Sequence, residues 1–276
     1  MSAGIATAPA AAGISHVRVG EVDLEVWTGG SGRTLLLLHP GDGLDHQAQF
    51  LRALARRHRV VAPSHPGFGE SSLPAWMNSV DDLAYFYLDF IEQQELSDVL
   101  LVGVSFGAWI AAEIAIRCRH ALAGAVFVDA VGVKFGAPTE REILDLFAYP
   151  VYEQYRHLHA DPSRHAPDYA ARSDAELASR ARNHASFALF GWSPTLHNPK
   201  LRRHLHRVTV PSLVLWGAED RVVAPEYGRR FAQAIPGARF RPIEGAGHYP
   251  QVDQPGLFVA AIEEFSAGLA APKGGA

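Results

Sequence analysis

Nucleophilic catalysis needs a hydroxyl, an imidazole and a carboxylate, and Ser105, Asp220 and His248 are candidates for these roles. A serine hydroxyl is a poor nucleophile until a base takes its proton, and an imidazole base needs a carboxylate to fix its tautomer and stabilise the imidazolium. Ser105 is the centre of Gly103-Val104-Ser105-Phe106-Gly107, Asp220 follows Trp216-Gly217-Ala218-Glu219, and His248 lies in Gly245-Ala246-Gly247-His248-Tyr249-Pro250. Such a set would attack an acyl carbonyl and pass through an acyl-enzyme. Residue types alone leave rivals, since Glu219 adjoins Asp220, Asp129 closes an apolar run and His39 closes another.

The elements that must position these groups can be read around them. Residues 99–104 are an apolar, β-branched-rich run that suits a parallel strand covered on both faces, and residues 108–116 favour a helix. Gly103 to Gly107 must therefore turn strand into helix within a few residues. Only near-glycine-sized side chains let the backbone cross so tightly, and the apex residue is strained with its side chain displayed. Further strands are predicted at residues 34–39, 59–63, 122–130, 210–217 and 238–243, and a hairpin at residues 16–27 turning near Gly20 to Asp23. Helices are predicted at residues 45–58, 81–94, 225–235 and 254–269. Strands alternating with helices imply an α/β fold with a mostly parallel central sheet and helices on both faces.

The pentapeptide resembles the Gly-x-Ser-x-Gly nucleophile elbow of the α/β-hydrolase superfamily. The stretch Trp216 to Val223 resembles that family's acid loop, and Gly245 to Pro250 its histidine loop. The order Ser105, Asp220, His248 is the family's order. In this reading the acid is the residue before Arg221, hence Asp220 over Glu219; Asp129 occupies a position some relatives use instead. Ser64-His65-Pro66-Gly67-Phe68-Gly69-Glu70-Ser71 is similar to another family turn, with Ser64 where Asp is usual, and marks His65 as structural. The family's oxyanion loop usually reads His-Gly after its strand, whereas here Pro40 follows His39 and has no N–H to donate. The resemblance implies that the amides of Gly41 and Phe106 form the oxyanion hole, and that His39 supports the loop. Asp42 reads first as a turn residue between glycines, and second as a side chain facing the pocket, where it would discourage an anionic substrate.

Between residues 132 and 207 the strand rhythm stops, and helical candidates rich in His, Arg and Tyr occupy 139–146, 151–159 and 174–190. An insertion here resembles the family's helical cap, so the expected organisation is a tail at 1–15, a core at 16–131 and 208–271, and a cap at 132–207. Trp192 and Tyr249 are expected to contact substrate. Phe106, Trp109, Phe135, Phe187 and Phe190 are further candidates for the pocket wall, although aromatics at helical spacing are more often core.

Composition narrows the remaining classes. The chain has 276 residues, 48% of them apolar, a net charge of -4 and no dense basic run, which excludes a nucleic-acid footprint. A lone cysteine, Cys118, allows no internal disulfide. Residues 1–15 lack the pattern of a secretory signal, and no run approaches the roughly 20 apolar residues of a membrane span. A cytoplasmic protein without membrane attachment is expected, with a homodimer left open. The pairs His157/His159 and His204/His206 point apart on a helix and complete no zinc pattern, and the expected chemistry needs neither metal nor cofactor. With serine rather than aspartate at the apex, the resemblance implies hydrolysis of a carboxylic ester or related acyl bond in a small molecule. A carbon–carbon hydrolase of vinylogous diketones comes second; a ligand receptor or a cofactor-independent dioxygenase on the same fold are further alternatives.

Overall fold

The computed structural model describes residues 10–270. Strands β1 (Ala10–Val19) and β2 (Val22–Gly30) form the expected hairpin. The tail expected at residues 1–15 is corrected in part, because Ala10 to Ser15 belong to β1 and pair with β2; residues 1–9 lie outside the described residues, as does the expected frayed end at 272–276. The small residues of this segment give no hydrophobic pattern, but the antiparallel ladder to β2 satisfies their backbone groups.

The alternating part follows as β3 (Thr34–Leu38), α1 (Gln49–Leu54), β4 (Arg59–Pro63), α2 (Val80–Gln93), β5 (Val99–Val104), α3 (Phe106–Ala115) and β6 (Leu122–Val128). An insertion carries β7 (Gly132–Val133), α4 (Val151–Leu158), α5 (Asp174–Gly191) and β8 (His197–Asn198). The alternation resumes with β9 (Ser212–Gly217), α6 (Pro225–Gln233), β10 (Arg239–Ile243), α7 (Pro250–Asp253) and α8 (Pro255–Ala267). Eight strands form one sheet in the order β1-β2-β4-β3-β5-β6-β9-β10, parallel from β4 to β10. β4 and β5 lie on opposite sides of β3, so the sheet reverses its winding there. In open α/β sheets the crevice beyond the strand ends at such a point is where ligands bind.

Two apolar layers cover the sheet. One face packs α2, α3 and α6 through Phe90, Ile110 and Phe231, and the other packs α1 and α8 through Leu51 and Phe258. β5 is buried along its whole length, as its unbroken apolar sequence requires. The insertion is less helical than expected. Residues 139–146 form no α-helix; Glu142 Oε2 accepts instead from the N–H groups of Phe135 and Gly136, and Glu140 Oε2 from that of Ala137. These carboxylates satisfy loop amides that a helix would have had to satisfy otherwise. β7 and β8 pair in a short parallel sheet of their own.

Candidate active site

Ser105 sits between β5 and α3 with φ 51° and ψ -110°, a strained left-handed backbone for a residue with a Cβ. The crossing on either side is as tight as expected: a Cβ on Gly103 would fall on the carbonyl of Gly107, and one on Gly107 on the carbonyl of Leu38. β6 ends at Asp129, β9 leads to Asp220 and β10 to His248, so parallel strand order brings residues far apart in sequence to one edge.

The three chemical groups are in register. His248 Nε2 lies 2.7 Å from Ser105 Oγ, and Nδ1 lies 2.8 Å from Asp220 Oδ2. Asp220 Oδ1 accepts from the N–H groups of Val222 (2.7 Å) and Val223 (3.0 Å), which fixes the carboxylate plane. Glu219 takes no part in this contact. The His248 and Asp220 side chains are fully buried, where charge interactions are weakly screened. The N–H groups of Gly41 and Phe106 have no protein acceptor among the described residues. Phe106 is the first residue of α3, where the helix leaves its N–H free and its dipole favours negative charge.

The loop carrying Gly41 is held from below and above. Below, His39 Nδ1 donates to Pro40 O, and its Nε2 accepts from the His65 N–H. His65 donates from Nε2 to His39 O and meets Tyr87 Oη through Nδ1; burial pushes its imidazole down to about 3, so it stays neutral and structural. Above, α5 begins with a capping box between Ser173 and Glu176. Its Asn183 donates to Asp42 O and accepts from Gly69 N–H, and its Ser186 donates to Gly67 O. Phe187 presses its ring on Gly41 and packs against Phe106 at 5.4 Å.

This core machinery has the signature of one family. The profile described as the alpha/beta hydrolase family matches residues 35–262. The chain belongs to the α/β-hydrolase family. Among curated relatives of this hydrolase, the 2-hydroxy-6-oxo-2,4-heptadienoate hydrolase of Pseudomonas putida is 26% identical over 273 residues, covering 91% of this chain and 95% of the relative. The 2-hydroxymuconate semialdehyde hydrolase of a Pseudomonas species is 26% identical over 260 residues, covering 86% and 88%. Among solved structures, a bacterial membrane phospholipase A superposes with a TM-score of 0.77 at 25% identity, over 93% of this chain and 86% of that one. An esterase from Exiguobacterium antarcticum superposes at 0.74 with 18% identity, over 92% and 99%, a likeness of fold.

A cavity of about 270 Å³ lies between the insertion and the oxyanion loop of the hydrolase. It is lined from the core by Gly41, Asp42 and Tyr249 and from the insertion by Arg172, Arg180 and Phe187. A second cavity, about 360 Å³, lies beside Asp42 and Tyr249 toward α1 and α7. The smaller one touches the Gly41 loop and the insertion together. Ser105 lines neither among the described residues and is almost closed off.

Asp42 turns out to be a turn residue and a cavity residue at once. Gly43 N–H donates to Pro40 O across the turn, while the Asp42 carboxyl faces both cavities. Its surface is open to these spaces, yet protein surrounds it, and burial pushes its carboxyl above the usual range against the pull of Arg180 and the Tyr249 hydroxyl, which donates to it. Tyr249 lines both cavities. Trp192 does not: it follows the end of α5, is 62% exposed and leans on Phe147. Of the other aromatic candidates, Phe187 alone lines the smaller cavity; Phe106 is buried among His65, Phe68 and Trp109, and Phe135 packs on Tyr227.

Sequence reasoning missed the clamp between insertion and core. Asp253 accepts from the N–H groups of Gly247 and Ala160 and from His159 Nδ1, and Arg221 donates to the carbonyls of Arg156, His159 and Ala160. Both anchors are near Asp220 and His248 in sequence, the one signal that pointed to them. His159, His165 and Asp253 bring potential ligand atoms within 4.8 Å of one another. The two rings are stacked at 4.0 Å and 15°, however, so lone pairs lying in the ring planes run side by side instead of converging on one ion.

Proposed function

We propose that this chain is a serine hydrolase that cleaves a carboxylic ester or related acyl bond in a small, polar substrate. The observation that carries the reading is the relay of 2.7 and 2.8 Å contacts from Ser105 through His248 to Asp220, beside which the Gly41 and Phe106 N–H groups have no protein acceptor among the described residues. His248 Nε2 takes the Ser105 proton as Oγ attacks the carbonyl carbon, and Asp220 holds the imidazolium. The amides of Gly41 and Phe106 receive the oxyanion; one such donor is worth about 10²–10³ in rate. His248 then protonates the leaving group, and the same base activates water to release the acyl group from Ser105.

One observation favours a second reading, carbon–carbon bond hydrolysis of a vinylogous diketone acid. The cavity carries Arg172 and Arg180, whose buried Nε atoms have no hydrogen-bond partner, and beside them Tyr169, whose hydroxyl has none. Buried polar groups are rarely left unpaired, so this wall suits a substrate carboxylate. Two of the relatives above are named as hydrolases of that chemical kind. The Asp42 carboxyl beside this wall is itself raised above the usual range by burial, and Arg180 draws it back.

The test is hydrolysis of a graded series of acyl esters, neutral and carboxylate-bearing, and of a 2-hydroxy-6-oxo-dienoate, by the wild type, Ser105→Ala and Arg180→Met. Turnover that disappears in Ser105→Ala establishes the serine mechanism. A KM raised about tenfold or more by Arg180→Met for carboxylate-bearing substrates alone supports the anion-binding wall. Rates equal to those of Ser105→Ala across every substrate would reject the hydrolase reading.

A further inference from the structure

We propose that Asp129 is a positioning residue, a neutral carboxylic acid that donates its proton to the triad carboxylate Asp220. The inference rests on the reading of Ser105, His248 and Asp220 as the catalytic relay. Asp129 follows β6 with φ 43°, is fully buried, and its N–H donates to Leu215 O, so its side chain has little freedom. Its Oδ1 accepts from the Gly217 N–H at 2.8 Å. Its Oδ2 is buried and receives no N–H or O–H. Oxygen atoms of Asp129 and Asp220 and a ring nitrogen of His248 lie within 4.8 Å of one another.

Two carboxyl groups this close and this deeply buried do not both ionise, so one of them keeps a proton. Hydrogen bonding decides which. Asp220 accepts three donors, from Val222, Val223 and His248, whereas Asp129 accepts one, from Gly217. The charge therefore stays on Asp220 and the proton on Asp129 Oδ2, the oxygen without a donor. The groups facing Asp129 act in the same sense: Asp220 and the more distant Asp253 both oppose its ionisation, and the one cation the relay forms, on His248, is matched by Asp220. Burial first, then the charge of Asp220, pushes the Asp129 carboxyl far above the usual carboxylate range, consistent with this assignment. The donated hydrogen bond draws charge from Asp220, so it tempers the hold of that carboxylate on the imidazolium and sets where the base titrates.

The experiment compares Asp129→Leu and Asp129→Asn with wild type in two ways: kcat/KM of ester hydrolysis against pH, and the infrared band of a protonated carboxylic acid at neutral pH. Leucine removes the donor, leaves Asp220 more basic and moves the acid limb upward by about half a pH unit or more, a threefold change in the protonation equilibrium. Asparagine can accept from Gly217 through Oδ1 and donate to Asp220 through Nδ2, so it returns the limb toward its wild-type position. The infrared band is present in wild type and lost in both variants. A limb that moves down in Asp129→Asn would show that Asp129 is ionised and overturn the proposal. An unmoved limb in Asp129→Leu, with only a lowered melting temperature, would reduce the residue to a structural role. Should the leucine variant fail to fold, the asparagine limb and the infrared band still decide. The band needs no substrate, so its absence in wild type refutes the Asp129 assignment even if hydrolysis is found, and its presence supports the assignment even if the substrate class is wrong.

Discussion

Gly41→Ala tests whether Phe187 and the oxyanion loop are one mechanical unit. Gly41 does not hold a left-handed φ, so alanine meets no backbone obstacle there. Its Cβ, however, would stand 2.7 Å from three carbons of the Phe187 ring. Carbon contacts settle near 3.5–4.0 Å, so something must move by about 1 Å. Phe187 has little room to retreat, being buried between Phe106 at 5.4 Å and Phe147 at 5.0 Å. Part of the displacement therefore falls on the loop and tilts the Gly41 N–H away from the oxyanion. Overpacking of this sort costs about 1–3 kcal/mol in stability. A misplacement of about 1 Å at the reacting centre lowers kcat by about 10², equivalent to about 2.7 kcal/mol. Phe187→Ala removes the obstacle, so the double variant should recover most of that factor relative to Gly41→Ala. Steady-state kinetics on one ester, with thermal melts of all four proteins, provide the cycle. If Gly41→Ala turns over as fast as wild type, or if the two substitutions simply multiply, the loop is not gated by Phe187.

Asp220→Asn should lower kcat by about 10⁴ with the fold intact, because the amide no longer holds Nδ1–H toward itself and the base presents the wrong tautomer; circular dichroism and ester kinetics check both halves. Asp42→Asn should raise the melting temperature at pH 7, with the gain disappearing below about pH 4. The sign follows from a carboxyl raised in the folded protein: the unfolded chain releases that proton near the ordinary 3.8 while the folded chain still holds it, so stability falls as pH rises and asparagine escapes that loss. Asp253→Ala leaves the buried donors at Gly247 and Ala160 without their acceptor, a cost of about 1.5–3 kcal/mol. Burial opposes ionisation of Asp253, but bonds from His159 and these amides outweigh it and hold its carboxyl low. The stability it provides is therefore present above the ordinary carboxylate range and lost as pH falls through its lowered value, so melts of wild type and Asp253→Ala should converge in acid.

Two members of the relay were legible because Ser105 and Asp220 follow strands buried along their whole length, β5 and β9, which announce themselves as apolar runs closed by small residues. By contrast, β10 ahead of His248 is mostly exposed or half-buried, and only Gly245-Ala246-Gly247 marks the turn that carries the histidine. Ser105, Asp220 and His248 needed no knowledge of distance, only of strand order. Gly41, Phe106 and the structural reading of His65 came instead from the resemblance to the family; in the structure His65 contacts His39 and Tyr87. The cap was less legible, since its position rests on single side chains meeting distant backbone: Asn183 on Asp42 and Gly69, Ser186 on Gly67, Asp253 on Ala160. Contacts of that kind leave no period in a sequence. Trp192 shows the limit from the other side, a large aromatic in the right segment that falls just past the end of α5 and faces water, while Phe187, five residues earlier, covers the oxyanion loop. Helical phase decides between them, and phase relative to a partner is set by docking rather than by the helix's own residues. The proposed relay is thus encoded locally at strand ends, whereas the side chains that the insertion holds over it depend on contacts between distant segments. Substitutions at Asn183 or Ser186 should accordingly alter KM and substrate preference before they alter the relay itself.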